Sequence, residues 1–142
     1  MTEIESRISK IVSDFNSCAT WEDRYKKIIQ VGKTLPELSD EHKIPDNIIK
    51  GCQSQVWLVT ELSGDKIIFK ADSDAMIVKG LVSLLVEIYS GSTPDEILST
   101  PPTFLKDLGF ESNLSPSRAN GLHAMIKQIS NYAIVYKAKA GM

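Results

Sequence analysis

The segment Met76–Tyr89 is the feature of this sequence that most constrains its fold. At helical spacing its apolar residues point in nearly every direction instead of forming one stripe: Ile77, Val78, Leu81, Val82, Leu84, Leu85, Val86 and Ile88. A helix of this kind has to be covered on most sides, so it belongs at the centre of a domain. Lys79 and Glu87 interrupt it, and it is shorter than the roughly 20 apolar residues that a membrane-spanning helix needs. The sequence therefore predicts a central helix and no membrane span.

Four further helices are predicted around this segment. One is short, starts at Thr93-Pro94 and runs through Leu98, and a short turn is predicted around residues 104–108. Over residues 4–15 apolar side chains recur every three or four positions, which is typical of an amphipathic helix. Thr20 is a good N-cap for a second helix, which Pro36 ends. Ser115 followed by Pro116 is a favoured helix start, and the apolar spacing after it predicts a long last helix.

A small sheet is predicted between the second helix and the central one. Residues 55–62 and 66–71 are rich in β-branched and aromatic side chains and are separated by turn residues, which predicts a hairpin. Residues 47–50 are predicted to add a short third strand, and Asp72-Ser73-Asp74 to cap the central helix. We therefore expect one α+β domain over residues 1–142, with a three-stranded antiparallel sheet and helices packed on one face.

The charge balance argues against nucleic acid as a partner. The chain has 16 Lys and Arg and 18 Asp and Glu, which gives a formal charge of −2. A strongly basic surface is therefore not expected. The first ten residues lack the apolar stretch of a signal peptide, and two cysteines without that context suggest reduced thiols. These features predict a soluble cytoplasmic protein.

One segment has the composition of a reactive site: Gly51-Cys52-Gln53-Ser54-Gln55. The cysteine lies between a long irregular stretch and a predicted strand, next to a glycine that permits a tight turn. Polar side chains follow it and can hydrogen-bond near the sulfur. Free cysteines are most often small buried apolar residues, so the local pattern alone leaves a functional thiol and a packed one both open.

Other chemistry has weaker support. The remaining soft ligands, Cys18, His42 and His123, form no close pair with one another or with Cys52, as a zinc site normally would. A Cys–His hydrolase would need one of these histidines beside Cys52 and a third group to orient it. The sequence shows no such motif and no glycine-rich phosphate loop.

Three residues outside the segment occupy notable positions. Cys18, at a predicted helix junction, is interpreted as a packed or idle thiol. Arg118 is in the first turn of the last helix, where the helix dipole disfavours a cation, so it has either a partner or full solvation. Gly121 costs about 1 kcal/mol relative to alanine in the same helix, which suggests close packing against its backbone.

The Cys52 segment, continued as GCQSQVW through Trp57, closely resembles the active-site loop of the SufE family of sulfur acceptors. The resemblance spans about residues 5–130, with further landmarks in the family's order: WEDRY at 21–25, LPEL at 35–38, DSDA at 72–75, IVKGL at 77–81 and SPSR at 115–118. The related CsdE branch differs in the cysteine loop. Residues 132–142 have no counterpart in the family pattern.

The resemblance implies a fold, a partner and a site. The fold would be that of SufE and the cluster scaffold IscU, and the partner a SufS-type cysteine desulfurase. Cys52 would accept the sulfur and pass it to the SufBCD scaffold. Pyridoxal phosphate would belong to the desulfurase, so this chain would need no cofactor; a weak homodimer is allowed. The predicted docking surface consists of the groups around Cys52 at one end of the sheet: Gly51, Gln53, Ser54, Asp72, Asp74 and Arg118.

Two alternatives to a carrier stay open: an IscU-type scaffold that holds a nascent cluster, and an adaptor that only activates the desulfurase. For a carrier we expect Cys52 alone to bear the sulfur and Cys18 to be dispensable. We also expect the resting Cys52 side chain to point inward, towards apolar residues of the hairpin and the last helix, because an exposed persulfide is readily oxidised. The polar residues after it would close the loop by hydrogen bonds, and burial would raise the pKa of the thiol.

Overall fold

The computed structural model describes residues 2–140. Within this range the chain forms seven α-helices and two strands. In order they are α1 (Glu3–Asn16), α2 (Trp21–Lys33), β1 (Val56–Ser63), β2 (Lys66–Ser73), α3 (Met76–Tyr89), α4 (Pro94–Leu98), α5 (Phe104–Asp107), α6 (Phe110–Asn113) and α7 (Pro116–Ala140). Two short 3-10 turns, Asp40–His42 and Pro45–Asn47, lie between α2 and β1. The short helix α6 was not predicted from the sequence.

The central helix is confirmed. Eight residues of α3 are buried, because α1, α2, α7 and the sheet cover it on most sides. The crossing with α2 is very close: a Cβ added at Gly32 would lie 2.8 Å from the amide nitrogen of Gly80, and one added at Gly80 would overlap the carbonyl oxygen of Ile28. Both positions therefore require glycine. None of the helices within residues 2–140 combines the length and apolar character needed to cross a membrane.

The predicted helix starts are confirmed at two places and wrong at a third. Thr20 accepts a hydrogen bond from the Asp23 amide at 3.1 Å, and Ser115 accepts one from the Arg118 amide at 3.4 Å. The predicted cap of α3 is wrong, since its N-cap is Ala75 and, within residues 2–140, no side chain caps its first turn; Ser73 Oγ accepts only from the Ala75 amide, at 3.3 Å. The residues before Ala75 bind the loop that contains Cys52 instead, as described below.

The fold is α+β, as predicted, but the sheet has two strands within the described residues and not three. β1 and β2 pair antiparallel along their whole length, with Leu58 opposite Ala71, and the turn between them uses Gly64 at φ 65°. The predicted third strand is reduced to one bridge between Ile48 and Trp57. A 3-10 turn ends at residue 47 and a left-handed glycine stands at 51, so too few extended residues lie between them to continue the pairing.

One face of the hairpin belongs to the core. Alternate side chains of the two strands are buried against the helices: Val56, Leu58, Ile67, Phe69 and Ala71. Near the end of the last helix Tyr136 and Thr60 share a hydrogen bond of 2.8 Å, so α7 reaches across β1. This packing brings the starts of α3 and α7 to the end of the sheet where β1 begins.

Candidate functional site

Cys52 lies in a short loop with one stem on each side. The first stem is Ile48 and Ile49, with the Ile49 amide donating to the carbonyl of Val56 at 2.8 Å. Gly51 next to the cysteine has φ 97°, a conformation that L side chains rarely adopt. The glycine therefore allows the sharp turn that carries Cys52 towards α7.

The second stem is tied to the end of β2 through Gln55. The Gln55 amide donates to Asp74 Oδ1 at 3.0 Å. The Gln55 carbonyl accepts from Ser73 Oγ at 2.8 Å and from the Asp74 amide at 3.3 Å. The loop is thus closed by hydrogen bonds, as predicted, but through the Gln55 backbone and the side chains of residues 73 and 74. This use explains why these residues do not cap α3.

The Cys52 thiol points inward, towards the last helix. Its Sγ lies 3.6 Å from the Gly121 carbonyl oxygen, to which the thiol donates a hydrogen bond, and the side chain is half-buried. Burial raises the pKa of the Cys52 thiol above its ordinary value. The hydrogen bond to a carbonyl further favours the neutral thiol. The resting cysteine is therefore sheltered, and close packing at Gly121 is confirmed.

A groove of about 590 Å³ opens beside the sulfur, between the Cys52 loop and the first turns of α3 and α7. Its apolar lining includes Ile77, Met125 and Met76, whose side chain is 62% exposed at the rim. Arg118 lines the same groove, and among residues 2–140 its guanidinium has no ion-pair partner. The site therefore combines a thiol, an apolar wall and an uncommitted cation.

Most predicted site residues gather here. Gln53, Ser54 and Arg118 line the groove with Cys52. Gly51 and Asp74 shape and hold the loop. The sequence did not indicate the apolar lining from α3 and α7, because the same spacing also describes residues turned to the core. The apolar pattern of α3 does not tell that its first residue, Met76, is exposed at the rim of the groove.

Asp72 is the exception, since its carboxylate is only 6% exposed and does not line the groove. Its two oxygens lie 3.2 Å from Lys43 Nζ and 3.3 Å from Lys79 Nζ, and Oδ1 accepts from the Ser73 amide at 2.8 Å. Burial alone would raise the pKa of Asp72, but the amide and the two ammonium groups outweigh burial and hold that pKa below its usual range. A direct contact between Asp72 and a partner stays a prediction that this burial does not favour.

The histidines lie elsewhere. His42 is beside Glu41 in the first 3-10 turn, and His123 is exposed on α7 near Leu105 and Phe110; neither lines the Cys52 groove. Within the described part of the chain, no three residues of His, Cys, Asp or Glu are grouped closely enough to hold a metal ion. The arrangement can support chemistry at one sulfur atom.

The chain is similar to known proteins in both sequence and fold. The model of the SufE family, described as an Fe-S metabolism associated domain, matches residues 9–133. An uncharacterized SufE-like protein of Rhizobium etli is 43% identical over 136 aligned residues, which cover 92% of each chain. A hypothetical protein of Thermus thermophilus, solved in solution, has the same fold, with a TM-score of 0.77 over 93% of this chain and 96% of that one, at 21% identity. The chain therefore belongs to the SufE family, and with it to the proteins of Fe–S metabolism.

Proposed function

We propose that Cys52 accepts a sulfur atom from the persulfide of a cysteine desulfurase and passes it on to iron–sulfur cluster assembly. The observation that carries this proposal is the groove, which is lined by one sheltered thiol beside a glycine turn and by an Arg118 without an ion-pair partner among residues 2–140. Membership of the family implies a cysteine desulfurase partner in general. A SufS-type enzyme, its stimulation by this chain, delivery to SufBCD and a cytoplasmic location, where thiols stay reduced, are parts of the proposal.

The transfer is a thiol–persulfide exchange that needs no external oxidant. Cys52 loses its proton, and the thiolate attacks the outer sulfur of the desulfurase persulfide. A new S–S bond forms on Cys52 as the old S–S bond breaks, and the desulfurase cysteine leaves as a thiolate that takes up a proton. Cys52 then carries the persulfide. In the next exchange a thiolate of the acceptor attacks the outer sulfur of this persulfide, the S–S bond on Cys52 breaks, and Cys52 leaves as a thiolate that takes up a proton.

The resting geometry is unsuited to this attack, which gives the partner a role. Burial and the bond to the Gly121 carbonyl keep Cys52 protonated, whereas attack requires the thiolate. A docked desulfurase that binds the open loop better than the closed one would shift the population towards an exposed thiol. Arg118 at the groove favours the thiolate once the loop has turned.

The apolar wall serves the loaded state. A persulfide on Cys52 extends the side chain by one sulfur, for which the groove has room. Ile77 and Met125 would shield the outer sulfur from water and oxidants between encounters with partners. Shelter of this kind is what a carrier needs and an adaptor does not.

The two alternatives are less well supported. An IscU-type scaffold needs several ligands around one site, and no such group is found within residues 2–140. An adaptor that only activates the desulfurase would not need the cysteine. A Cys52→Ser variant separates these functions, because only an adaptor would keep its stimulating effect.

Mass spectrometry after incubation with a desulfurase and free cysteine tests the proposal. We expect one added sulfur, located on Cys52 by peptide mapping. The matched variants are Cys18→Ser, which should load like the parent, and Cys52→Ser, which should not load. Recovery of the sulfur mainly on Cys18, or loading of the Cys52→Ser variant, would contradict the proposal.

A further inference from the structure

The two stems of the Cys52 loop are held very differently. The second stem continues into β1, which pairs with β2 along its full length. The first stem, Ile48 and Ile49, meets the sheet through one isolated bridge, whose backbone bond runs from the Ile49 amide to the Val56 carbonyl, and through the buried Ile49 side chain. Residues 39–47 before it form two 3-10 turns that lack side-chain caps. The first stem therefore depends on additional contacts to stay against the sheet.

Lys43 supplies such a contact. Its Nζ lies 3.2 Å from Asp72 Oδ2 and 5.5 Å from the centre of the Trp57 ring. Apart from this lysine, the described side chains of residues 39–47 make polar contacts only within their own segment, for example Asn47 Nδ2 with the His42 carbonyl. Lys43 is thus the polar link between this segment and the outer face of the hairpin.

Asp72 is a firm anchor for that link. It stands opposite Trp57 in the strand register, and Trp57 is also the residue that bridges to Ile48. Its buried carboxylate is fixed by the Ser73 amide and by Lys79 of α3. A buried carboxylate with several partners has a well-defined position, so a lysine bound to it is held in place as well.

We propose that Lys43 is a positioning residue that, through Asp72, holds the first stem on the sheet and so keeps the Cys52 loop closed against α7. Loss of the link loosens residues 39–48 on the outer face of the hairpin, and the turn at Gly51 then lets the thiol leave Gly121 more often. The use of this closure in sulfur transfer rests on the proposed function, whereas the closure itself does not.

The test is the rate of alkylation of Cys52 by iodoacetamide in the full chain, without a desulfurase. We expect Lys43→Met and Lys43→Gln to raise this rate about three- to tenfold, the range expected for a partly buried ion pair. Lys70→Met is the matched control, because Lys70 pairs with Glu61 at 3.4 Å on the same hairpin but away from the loop, and its rate should equal that of the parent. Lys43→Arg, which keeps the charge and the reach, should restore the parent rate.

Cys18 is the internal reference, since peptide mapping gives the rates at both cysteines in one sample. Local opening accelerates Cys52 and leaves Cys18 unchanged, whereas general loss of stability accelerates both. Removing the Lys43 charge would, if anything, lower the thiolate fraction of Cys52 and slow its alkylation. Faster alkylation in the Lys43 variants therefore cannot result from the change in charge. Equal acceleration of both cysteines, or no acceleration of Cys52, would overturn the proposal. Neither result depends on whether Cys52 accepts sulfur, which the loading experiment tests separately.

Discussion

Gly80 and Gly121 are both helical glycines that let another segment approach, and they do so in different ways. At Gly80 the neighbour is the backbone of α2, and an added Cβ would overlap the Ile28 carbonyl. At Gly121 the neighbour is the Cys52 side chain, and an added Cβ would lie 3.6 Å from Sγ, an ordinary contact distance. The core is therefore joined by a backbone crossing that yields only if two helices separate. The reactive cysteine rests on its helix through a side-chain contact that can be made and broken while the core stays in place.

The largest effect is expected at the fixed crossing. Gly80→Ala should lower the free energy of unfolding by about 3 kcal/mol, because α2 and α3 must move apart to admit the methyl group. Urea denaturation followed by circular dichroism measures this loss. An unchanged midpoint and slope would show that the crossing yields more easily than its geometry indicates.

At the Cys52 groove, Arg118→Ala should weaken the proposed stimulation of the desulfurase about tenfold, because the proposed docking surface loses an exposed cation. The free energy of unfolding should stay within about 0.5 kcal/mol of the parent value. Lys127→Ala is a matched control, because Lys127 is exposed on the same helix and does not line the groove. Equal titration curves for the two variants would remove Arg118 from the docking surface.

Asp74→Ala should weaken the contact between Cys52 and Gly121 without disturbing the crossing of α2 and α3. The Gln55 amide loses its partner at 3.0 Å, while Ser73 still binds the Gln55 carbonyl, so we expect alkylation of Cys52 to rise about threefold. The exposed Asp65 in the hairpin turn serves as a control through Asp65→Ala. If alkylation is no faster than in that control, Gln55 is not a tie that holds the loop.

The pH dependence of alkylation should show the sheltered thiol. Because burial raises the pKa of Cys52, its rate should reach half-maximum above the ordinary value near 8.5 and return towards that value in urea. A raised folded-state pKa also means that the stability contributed by the neutral thiol is present below the unfolded pKa and is lost as pH rises through the folded one. A midpoint at or below the ordinary value would mean that the loop is already open.

The smallest effect is expected for Gly121→Ala. The methyl group finds an ordinary contact with Cys52, and alanine gains up to about 1 kcal/mol of helix propensity over glycine. We therefore expect a free energy of unfolding equal to or slightly above that of the parent, and alkylation of Cys52 within about twofold. A loss of stability comparable to that of Gly80→Ala would show that both glycines belong to fixed contacts.

The sequence predicted the parts of the fold that depend on patterns within one segment. The position of α3 followed from its apolar residues on all sides, and the starts of α2 and α7 from Thr20 and Ser115. The close approach of Gly32 and Gly80 could not be predicted, because it depends on how two distant segments cross.

The residues proposed for the candidate site came from a motif and from the landmarks that accompany it. Cys52, Arg118 and Asp74 were found through a recognisable motif and its landmarks. The ion pair between Asp72 and Lys43 was missed, because an aspartate before a helix and a lysine in an acidic stretch are both typical of exposed residues. The structure places Asp72 opposite Trp57 in the strand register, with its carboxylate buried and paired with Lys43 and Lys79.

The contact between Lys43 and Trp57 also has an optical consequence. The chain has two tryptophans, and Trp21 lies in an aromatic cluster with Tyr25 and Phe110, far along the chain from the Cys52 loop. Trp57 instead has an ammonium group above its ring and the bridge to Ile48 beside it. Release of the first stem removes both neighbours and exposes the indole to water, which shifts its emission to longer wavelength. In a Trp21→Phe background, the fluorescence of one side chain would therefore report opening of the loop in real time and without any label on the cysteine.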